Sequence, residues 1–172
     1  MILKAFREKS IRKLTNSLLN SQNVAISNER LESVGVIIDV REFSDAEAFK
    51  YFFNELGVKL PKIKIIMFAE DIKKTEKPWD NDFGKKDFGW NGTVKHPELK
   101  AFLEMEFDLL VCFFKNDALE LKMATALSKA NFKIGLSDVD DRLYDLILDV
   151  NTNQFGVFKL ELQKYLTILN KI

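Results

Sequence analysis

Polar and charged side chains follow three apolar runs of the chain, at the points where buried strands would end. Five of them are candidate site residues: Asp39, Arg41, Lys115, Asn116 and Asp138. Carboxylates at such positions could hold Mg²⁺ through oxygen ligands, while Arg41 or Lys115 could meet a phosphate. The sequence therefore indicates a possible site for a phosphorylated or nucleotide-sugar-like molecule. The alternative is structural, because polar residues end strands and cap helices in all α/β proteins.

A second candidate surface lies in the charged segment 71–96. Its aromatic residues stand among lysines, and four of them are candidates for contact with a partner: Trp79, Phe83, Phe88 and Trp90. Aromatic rings interleaved with lysines can stack on bases or sugars, or anchor a protein. Asp80, Asp82 and Asp87 cancel much of the positive charge, which argues against nucleic acid. The alternative is that the rings hold a long connection onto the body of the protein.

The sequence lacks the residues that several kinds of catalytic, metal and nucleotide site require. It holds one histidine, His96, and one cysteine, Cys112, so a zinc site built from these residue types within one chain is excluded. His96 precedes Pro97 and is predicted to begin a helix, and Cys112 lies inside an apolar strand, where a thiol is inert. The glycines form neither a dinucleotide-binding fingerprint nor a phosphate-binding loop. We assign no catalytic residue, metal or cofactor.

The candidate site residues follow short apolar runs, and the strands formed by these runs would position them. Runs at 34–38 and 109–114 contain no polar alternation, which is typical of strands covered on both faces. Each run leads through a polar connection into a helical pattern, with Ser44 and Glu47 predicted to form a capping box and Asp117 predicted to cap the second helix. Further strands are predicted at 63–69, 132–136 and 143–150. The pattern is that of an α/β protein.

The last two predicted strands are joined by about seven residues, whereas a parallel crossover normally needs a dozen or more. The final strand is therefore expected to lie antiparallel to a neighbour or to reach a distant position. Residues 1–20 are predicted to form an amphipathic helix whose first 13 residues carry five basic and one acidic side chains. Such a helix could contact a membrane, RNA or a partner, or could pack on the domain with its basic face in solvent.

The amino-acid composition excludes further classes of function. The 172 residues suit one domain, and 26 basic residues balance 26 acidic ones, so no overall field attracts nucleic acid. No stretch is apolar enough to span a membrane, and residues 1–13 lack the apolar centre of a signal peptide. A single cysteine allows no internal disulfide, which makes the cytoplasm the expected location.

Several segments together resemble a family of small bacterial proteins of unknown function. They are residues 34–39 (VGVIID), 86–92 (KDFGWNG), 107–111 (FDLLV) and 126–135 (ALSKANFKIG). The resemblance covers about residues 34–150 and implies no catalytic residue, because the family has no known activity. Residues 107–111 and the later Lys133-Ile134-Gly135 are also similar, more faintly, to the acceptor half of heptosyltransferase-type sugar transferases, but the second half that would hold a nucleotide sugar is missing.

These observations predict a three-layer, Rossmann-like α/β fold over residues 1–172, with an N-terminal helix at 1–20 and an insertion at 71–96. The sheet is expected to be mostly parallel and five-stranded, with a possible antiparallel edge strand. The predicted function is a non-catalytic binding or interaction module that meets a protein partner through the insertion or the first helix. The alternative is a ligand-binding domain or enzyme for a phosphorylated or nucleotide-sugar-like molecule at the strand ends.

Overall fold

The computed structural model describes residues 2–21, 29–70, 82–136 and 140–172. Within these ranges the chain forms five α-helices and six β-strands. The helices are α1 (Ile2–Ser21), α2 (Ala46–Glu55), α3 (Pro97–Glu104), α4 (Leu119–Leu127) and α5 (Phe155–Ile168). The strands are β1 (Val34–Asp39), β2 (Ile63–Phe68), β3 (Asp82–Phe83), β4 (Leu109–Phe113), β5 (Lys133–Leu136) and β6 (Leu146–Leu148).

All six strands lie parallel in one sheet, in the order β3-β2-β1-β4-β5-β6. β1 is central, and its Ile37 lies opposite Ile66 of β2 and Cys112 of β4. The chain adds β2 and β3 on one side of β1 and then returns to add β4, β5 and β6 on the other. The α/β class and the parallel arrangement predicted from the apolar runs are confirmed.

The predicted number of strands is wrong, because β3 lies inside the segment that was predicted to be an insertion. Asp82 and Phe83 pair with Met67 and Phe68 at the end of β2. A strand of two residues has no hydrophobic period that sequence analysis could detect.

The predicted antiparallel edge strand is also wrong, because β6 runs parallel to β5, with Ile134 opposite Leu146. Strand β6 begins later than predicted, so residues 137–145 are available to cross from the end of β5 to the start of β6. In this connection Asp141–Leu143 form a 3-10 turn, and Leu143 is buried in the hydrophobic cluster beside α4. In the described part of this crossover, a short 3-10 turn anchored by the buried Leu143 stands where a helix is usual.

Two hydrophobic clusters cover the sheet. One lies under α2 and α5, where Phe49, Phe113 and Phe158 pack with ring centroids 4.8–5.9 Å apart. The other lies under α1, α3 and α4 and includes the fully buried Cys112, as predicted. The helices thus form layers on both faces, which explains why the strands carry apolar residues without alternation.

The helix starts differ in part from the prediction. His96 caps α3 as predicted, since its Nδ1 accepts a hydrogen bond from the Leu99 N–H (3.3 Å). The predicted capping residues of α2 and α4 are wrong. Asp45 caps α2 by accepting from the Ala48 N–H (3.1 Å), and α4 begins after Ala118, which supplies no side-chain acceptor.

Helix α1 packs on α4 and the adjoining loop. Its buried face presents Ile11, Thr15 and Leu19, which are at most 9% exposed. Gly92 lies so close to Leu14 that a Cβ there would meet the Leu14 side chain at 2.1 Å. Packing on the protein body is therefore the role of one face of this helix. Among the described residues, none of the helices is long and apolar enough to cross a membrane.

Candidate functional site

The strand order reverses between β1 and β4. From β1 the chain builds the sheet towards one edge, and from β4 it builds the sheet towards the other. At such a reversal the connections that follow the two strands separate, and ligands of open α/β sheets bind in the resulting crevice. Here the connections are residues 40–45 after β1 and residues 114–118 after β4. Four of the five strand-end residues predicted from the sequence lie in or next to these connections.

Asp39 is the buried centre of this group. Its carboxylate is fully inaccessible to solvent and accepts hydrogen bonds from the Arg41 backbone N–H (3.0 Å) and from Asn116 Nδ2 (2.6 Å). Arg41 Nη2 adds an ion pair at 3.2 Å. A buried carboxylate is stable only when its lone pairs are satisfied in this way. Asp39 therefore positions Arg41 and Asn116 and has no surface that a ligand could touch.

Glu42 closes the crevice from one side, and the sequence analysis missed it. Its carboxylate accepts hydrogen bonds from two successive backbone N–H groups, those of Lys115 (2.8 Å) and Asn116 (2.6 Å). The connection after β1 is thereby fastened to the connection after β4. No sequence signal marks Glu42, because its partners are backbone groups more than 70 positions away.

Arg41 leads from the buried carboxylate to the surface. Its Nη1 donates to Glu70 Oε2 (2.6 Å), and Lys85 Nζ donates to the other Glu70 oxygen (2.7 Å). The hydrogen bond to Asp39 raises the pKa of Arg41, and the hydrogen bond from Lys85 lowers the pKa of Glu70. The Arg41 and Glu70 side chains are about half exposed, at 49% and 46%. This chain of charges forms one wall of an open cleft.

The cleft, which we call the strand-end cleft, has a volume of about 400 Å³. It is bounded by α1, by the ends of β1 and β2, and by the start of α4. Its described lining consists of Lys4, Arg7, Glu8, Ile11, Arg12, Arg41, Glu70, Lys85, Asn116, Asp117, Ala118, Leu119 and Glu120. Helix α1, which the sequence analysis did not connect with the strand ends, thus supplies the wall opposite Arg41.

Arg7 joins that wall to the rest of the protein. Its guanidinium donates hydrogen bonds to the backbone carbonyls of Lys85 and Phe88 and lies 3.8 Å from Glu120 Oε1. In contrast, no hydrogen bond or ion pair links the Lys4 or Arg12 side chain to another described residue. Two cationic side chains of the cleft are therefore available to a ligand.

Lys115, another of the strand-end candidates, does not line the cleft. Lys115 Nζ donates to Asn151 Oδ1 (2.9 Å), beyond the end of β6, and Lys115 is absent from the described lining. Asp138 lies outside the described residues. The structure thus brings Asp39, Arg41 and Asn116 together and leaves Lys115 beside them.

The aromatic residues of the insertion divide into two groups. Phe83 and Phe88 are 1% and 2% exposed, with their ring centroids 6.1 Å apart, so they hold this segment onto the hydrophobic cluster. Trp90 is 48% exposed, and Trp79 lies outside the described residues. Of the three described rings, only that of Trp90 offers a surface to a partner, and a contact through it stays a prediction.

The other titratable groups of the described residues form no metal site. The described ranges contain no group of three or more His, Cys, Asp or Glu residues placed to hold a metal ion. Cys112 is fully buried, and burial raises the pKa of its thiol to about 12. The thiol therefore stays protonated at neutral pH and lies away from the strand-end cleft.

Comparison with known proteins gives a family and no activity. A family model described as a family of unknown function, DUF6913, matches residues 7–169. Neither the curated proteins nor the solved structures contain a significant match. The resemblance to a family of unknown function is confirmed, and the fainter likeness to heptosyltransferases finds no support. Because the match covers nearly the whole sequence, this chain belongs to the family of unknown function DUF6913.

Proposed function

We propose that this protein binds a small anionic molecule with a phosphoryl group in the strand-end cleft. The observation that carries the proposal is the position of the cleft. It opens at the reversal of strand order between β1 and β4, the place where open parallel sheets bind ligands. Its volume of about 400 Å³ is that of a small-molecule site.

The charges of the cleft favour an anion. Three of its four described acidic residues already have cationic partners: Glu70 pairs with Arg41 and Lys85, Asp117 with Lys122, and Glu120 with Arg7. Lys4 and Arg12 add positive charge that no described acidic group pairs with. A phosphoryl group entering the cleft would therefore meet cations from both walls.

The start of α4 adds to this preference. Ala118, Leu119 and Glu120 line the cleft, and the residue before the helix supplies no side-chain acceptor for its first N–H groups. The positive end of the helix dipole and these N–H groups favour negative charge nearby. This contribution supplements the side-chain cations and would not define a site by itself.

Arg41 is the residue best prepared to hold the phosphoryl group. Asp39 fixes the orientation of its guanidinium, and a planar guanidinium can donate two parallel hydrogen bonds to phosphate oxygens. Glu70 presently takes part of that donor capacity. The ligand and the Glu70 carboxylate should therefore compete for Arg41 and Lys85.

The test is a thermal-shift titration with inorganic phosphate, pyrophosphate and glucose 6-phosphate. A ligand at one hundred times its Kd stabilises the folded state by about 2.7 kcal/mol, which corresponds to a rise in Tm of roughly 5–10 °C for a chain of this size. Arg41→Ala should reduce the affinity at least about tenfold, since a charge-assisted hydrogen bond is lost.

Arg142→Ala is the matched control. Arg142 is 48% exposed, pairs with the aspartate two residues before it as Arg41 does, and does not line the cleft. Its Nη2 also donates to Asn16 Oδ1 of α1 (3.0 Å), so this variant controls in addition for a weaker attachment of α1. Glu70→Gln should tighten binding because it removes the competing negative charge. Equal shifts for wild type and Arg41→Ala would exclude this site, and no shift with any of the three probes would contradict the proposed ligand class.

A further inference from the structure

The outer face of α1 is apolar at its start, in contrast with the face that packs on the protein. Ile2, Leu3 and Phe6 are 82%, 67% and 68% exposed. At 100° per residue Ile2 and Phe6 lie on the side of the helix opposite the buried Ile11 and Thr15, and Leu3 lies at the edge of that side. Three large apolar side chains within five residues thus point away from the protein body.

Lysines flank this apolar group. Lys9 and Lys13 lie on the same outer face, one and two turns further along the helix, and both are exposed. The first 13 residues hold five basic and one acidic side chains, in a chain whose formal net charge is zero. Two exposed lysines therefore lie beside the exposed apolar group, on a helix that carries a local excess of positive charge.

We infer that the first three turns of α1 bind the surface of an anionic lipid bilayer. Ile2, Leu3 and Phe6 enter the boundary between headgroups and acyl chains, while Lys9 and Lys13 meet lipid phosphates. A helix that lies in the membrane interface needs this combination of an apolar side and flanking cations. The buried face of α1 stays on the protein, so attachment requires no unfolding.

The charge pattern favours a lipid surface over a protein partner. The exposed apolar residues of α5, which are Val157, Leu160 and Ile168, share their helix with an acidic residue, Glu161, that pairs with Lys164 and leaves Lys159 as the one lysine in excess. On the outer face of α1, Lys9 and Lys13 face no acidic residue of the helix, because Glu8, together with Lys4, Arg7 and Arg12, lines the strand-end cleft. A surface of anionic lipids complements the outer face of α1 in both charge and hydrophobicity.

The test is co-sedimentation of the full chain with vesicles of phosphatidylcholine containing 30% phosphatidylserine, at about 0.1 M salt, where charges are screened beyond about 10 Å. The protein should sediment with these vesicles and remain in solution with pure phosphatidylcholine. The Leu3→Ser/Phe6→Ser variant should lose at least about tenfold in vesicle affinity, and Lys9→Glu/Lys13→Glu should lose as much. Leu160→Ser, at a position 70% exposed, is the matched control and should bind as wild type does.

Two control measurements accompany the co-sedimentation. Circular dichroism of each variant should match the wild type, because all of the changed side chains are exposed. Arg41→Ala should retain vesicle binding, which separates this inference from the proposed function of the cleft. Equal binding of wild type and Leu3→Ser/Phe6→Ser, or no binding to the anionic vesicles, would overturn it. Self-association that Leu3→Ser/Phe6→Ser abolishes, without vesicle binding, would assign the patch to a second copy of this chain and would overturn it equally.

Discussion

Asp39 and Arg41 lie two positions apart, yet their environments give them different roles. Asp39 is fully buried and holds Arg41 and Asn116, so Asp39→Ala would leave their donors unsatisfied inside the crevice. We expect a loss of roughly 2–4 kcal/mol in the free energy of unfolding, measured by urea denaturation. Arg41→Ala should cost less, roughly 1–2 kcal/mol, because the buried Asp39 carboxylate loses its ion pair but keeps the hydrogen bonds from the backbone N–H at position 41 and from Asn116 Nδ2. The reverse order of the two losses would show that Arg41 is the structural member of the pair.

The ring of Tyr144 leaves no room for a side chain at Gly135. A Cβ at this position would lie 2.4 Å from the ring carbons, in a strand whose residues are all buried. Gly135→Ala should therefore lower the free energy of unfolding by roughly 1–3 kcal/mol through overpacking. Gly156 in α5 is the control, since nothing lies within 4 Å of its added Cβ. Gly156→Ala should raise stability by about 0.5–1 kcal/mol, and a gain at both positions would contradict the close packing.

Cys112 should make stability fall at alkaline pH. Burial raises the pKa of its thiol from the ordinary value of 9.0 to about 12 in the folded chain. Above pH 9 the Cys112 thiol loses its proton in the unfolded chain but keeps it in the folded chain. The free energy of unfolding therefore declines as the pH rises towards 12. The loss amounts to roughly 1–2 kcal/mol by pH 10. Burial also lowers the pKa of Lys133 and raises that of Tyr144, and both residues are present in the variant. The measurement is therefore the difference between wild type and Cys112→Ala in urea denaturation at pH 7 and pH 10. Parallel pH dependences would show that the thiol is not buried as described.

At the level of elements, the sequence predicted those strands and helices whose apolar residues are buried in a regular pattern. β1 and β4 have continuous apolar runs, and each is buried along its whole length. The helical pattern predicted after the first apolar run corresponds to α2, whose Phe49, Phe52 and Phe53 are all buried. A repeating apolar pattern records which face of an element is covered, and this is the information that sequence periodicity carries.

The sequence did not predict what depends on pairing between distant segments. β3 is too short to have a pattern, and the direction of β6 is set by a buried turn at Leu143. Glu42 acts on backbone N–H groups of another connection, which no side-chain pattern records. The strand-end residues were predicted from a general property of parallel sheets. The contribution of α1 to the cleft was missed because it depends on how that helix packs.

At the level of the whole molecule, the strand order explains why the crevice has one open side. β1 continues towards α2 on one face of the sheet, and β4 continues towards α4 on the other. Glu42 ties the two connections together. The opening that remains lies between α4 and α1, and α1 comes before the whole sheet in the chain. A ligand in the cleft would therefore contact both α1 and the strand ends.

This arrangement predicts that ligand binding protects α1 from local opening. Helix α1 is held by a few buried side chains, by Arg7 and by the hydrogen bond from Arg142 to Asn16, so its detachment would require less free energy than global unfolding. A ligand that contacts both walls is lost when α1 detaches, so at one hundred times its Kd it should slow the amide exchange of α1 by about 100-fold. Hydrogen exchange with and without saturating pyrophosphate measures this effect, and Arg41→Ala should abolish it. The amides of α5, on the opposite face, should gain no local protection. A rise in Tm without added protection of α1 would mean that the anion binds outside the cleft.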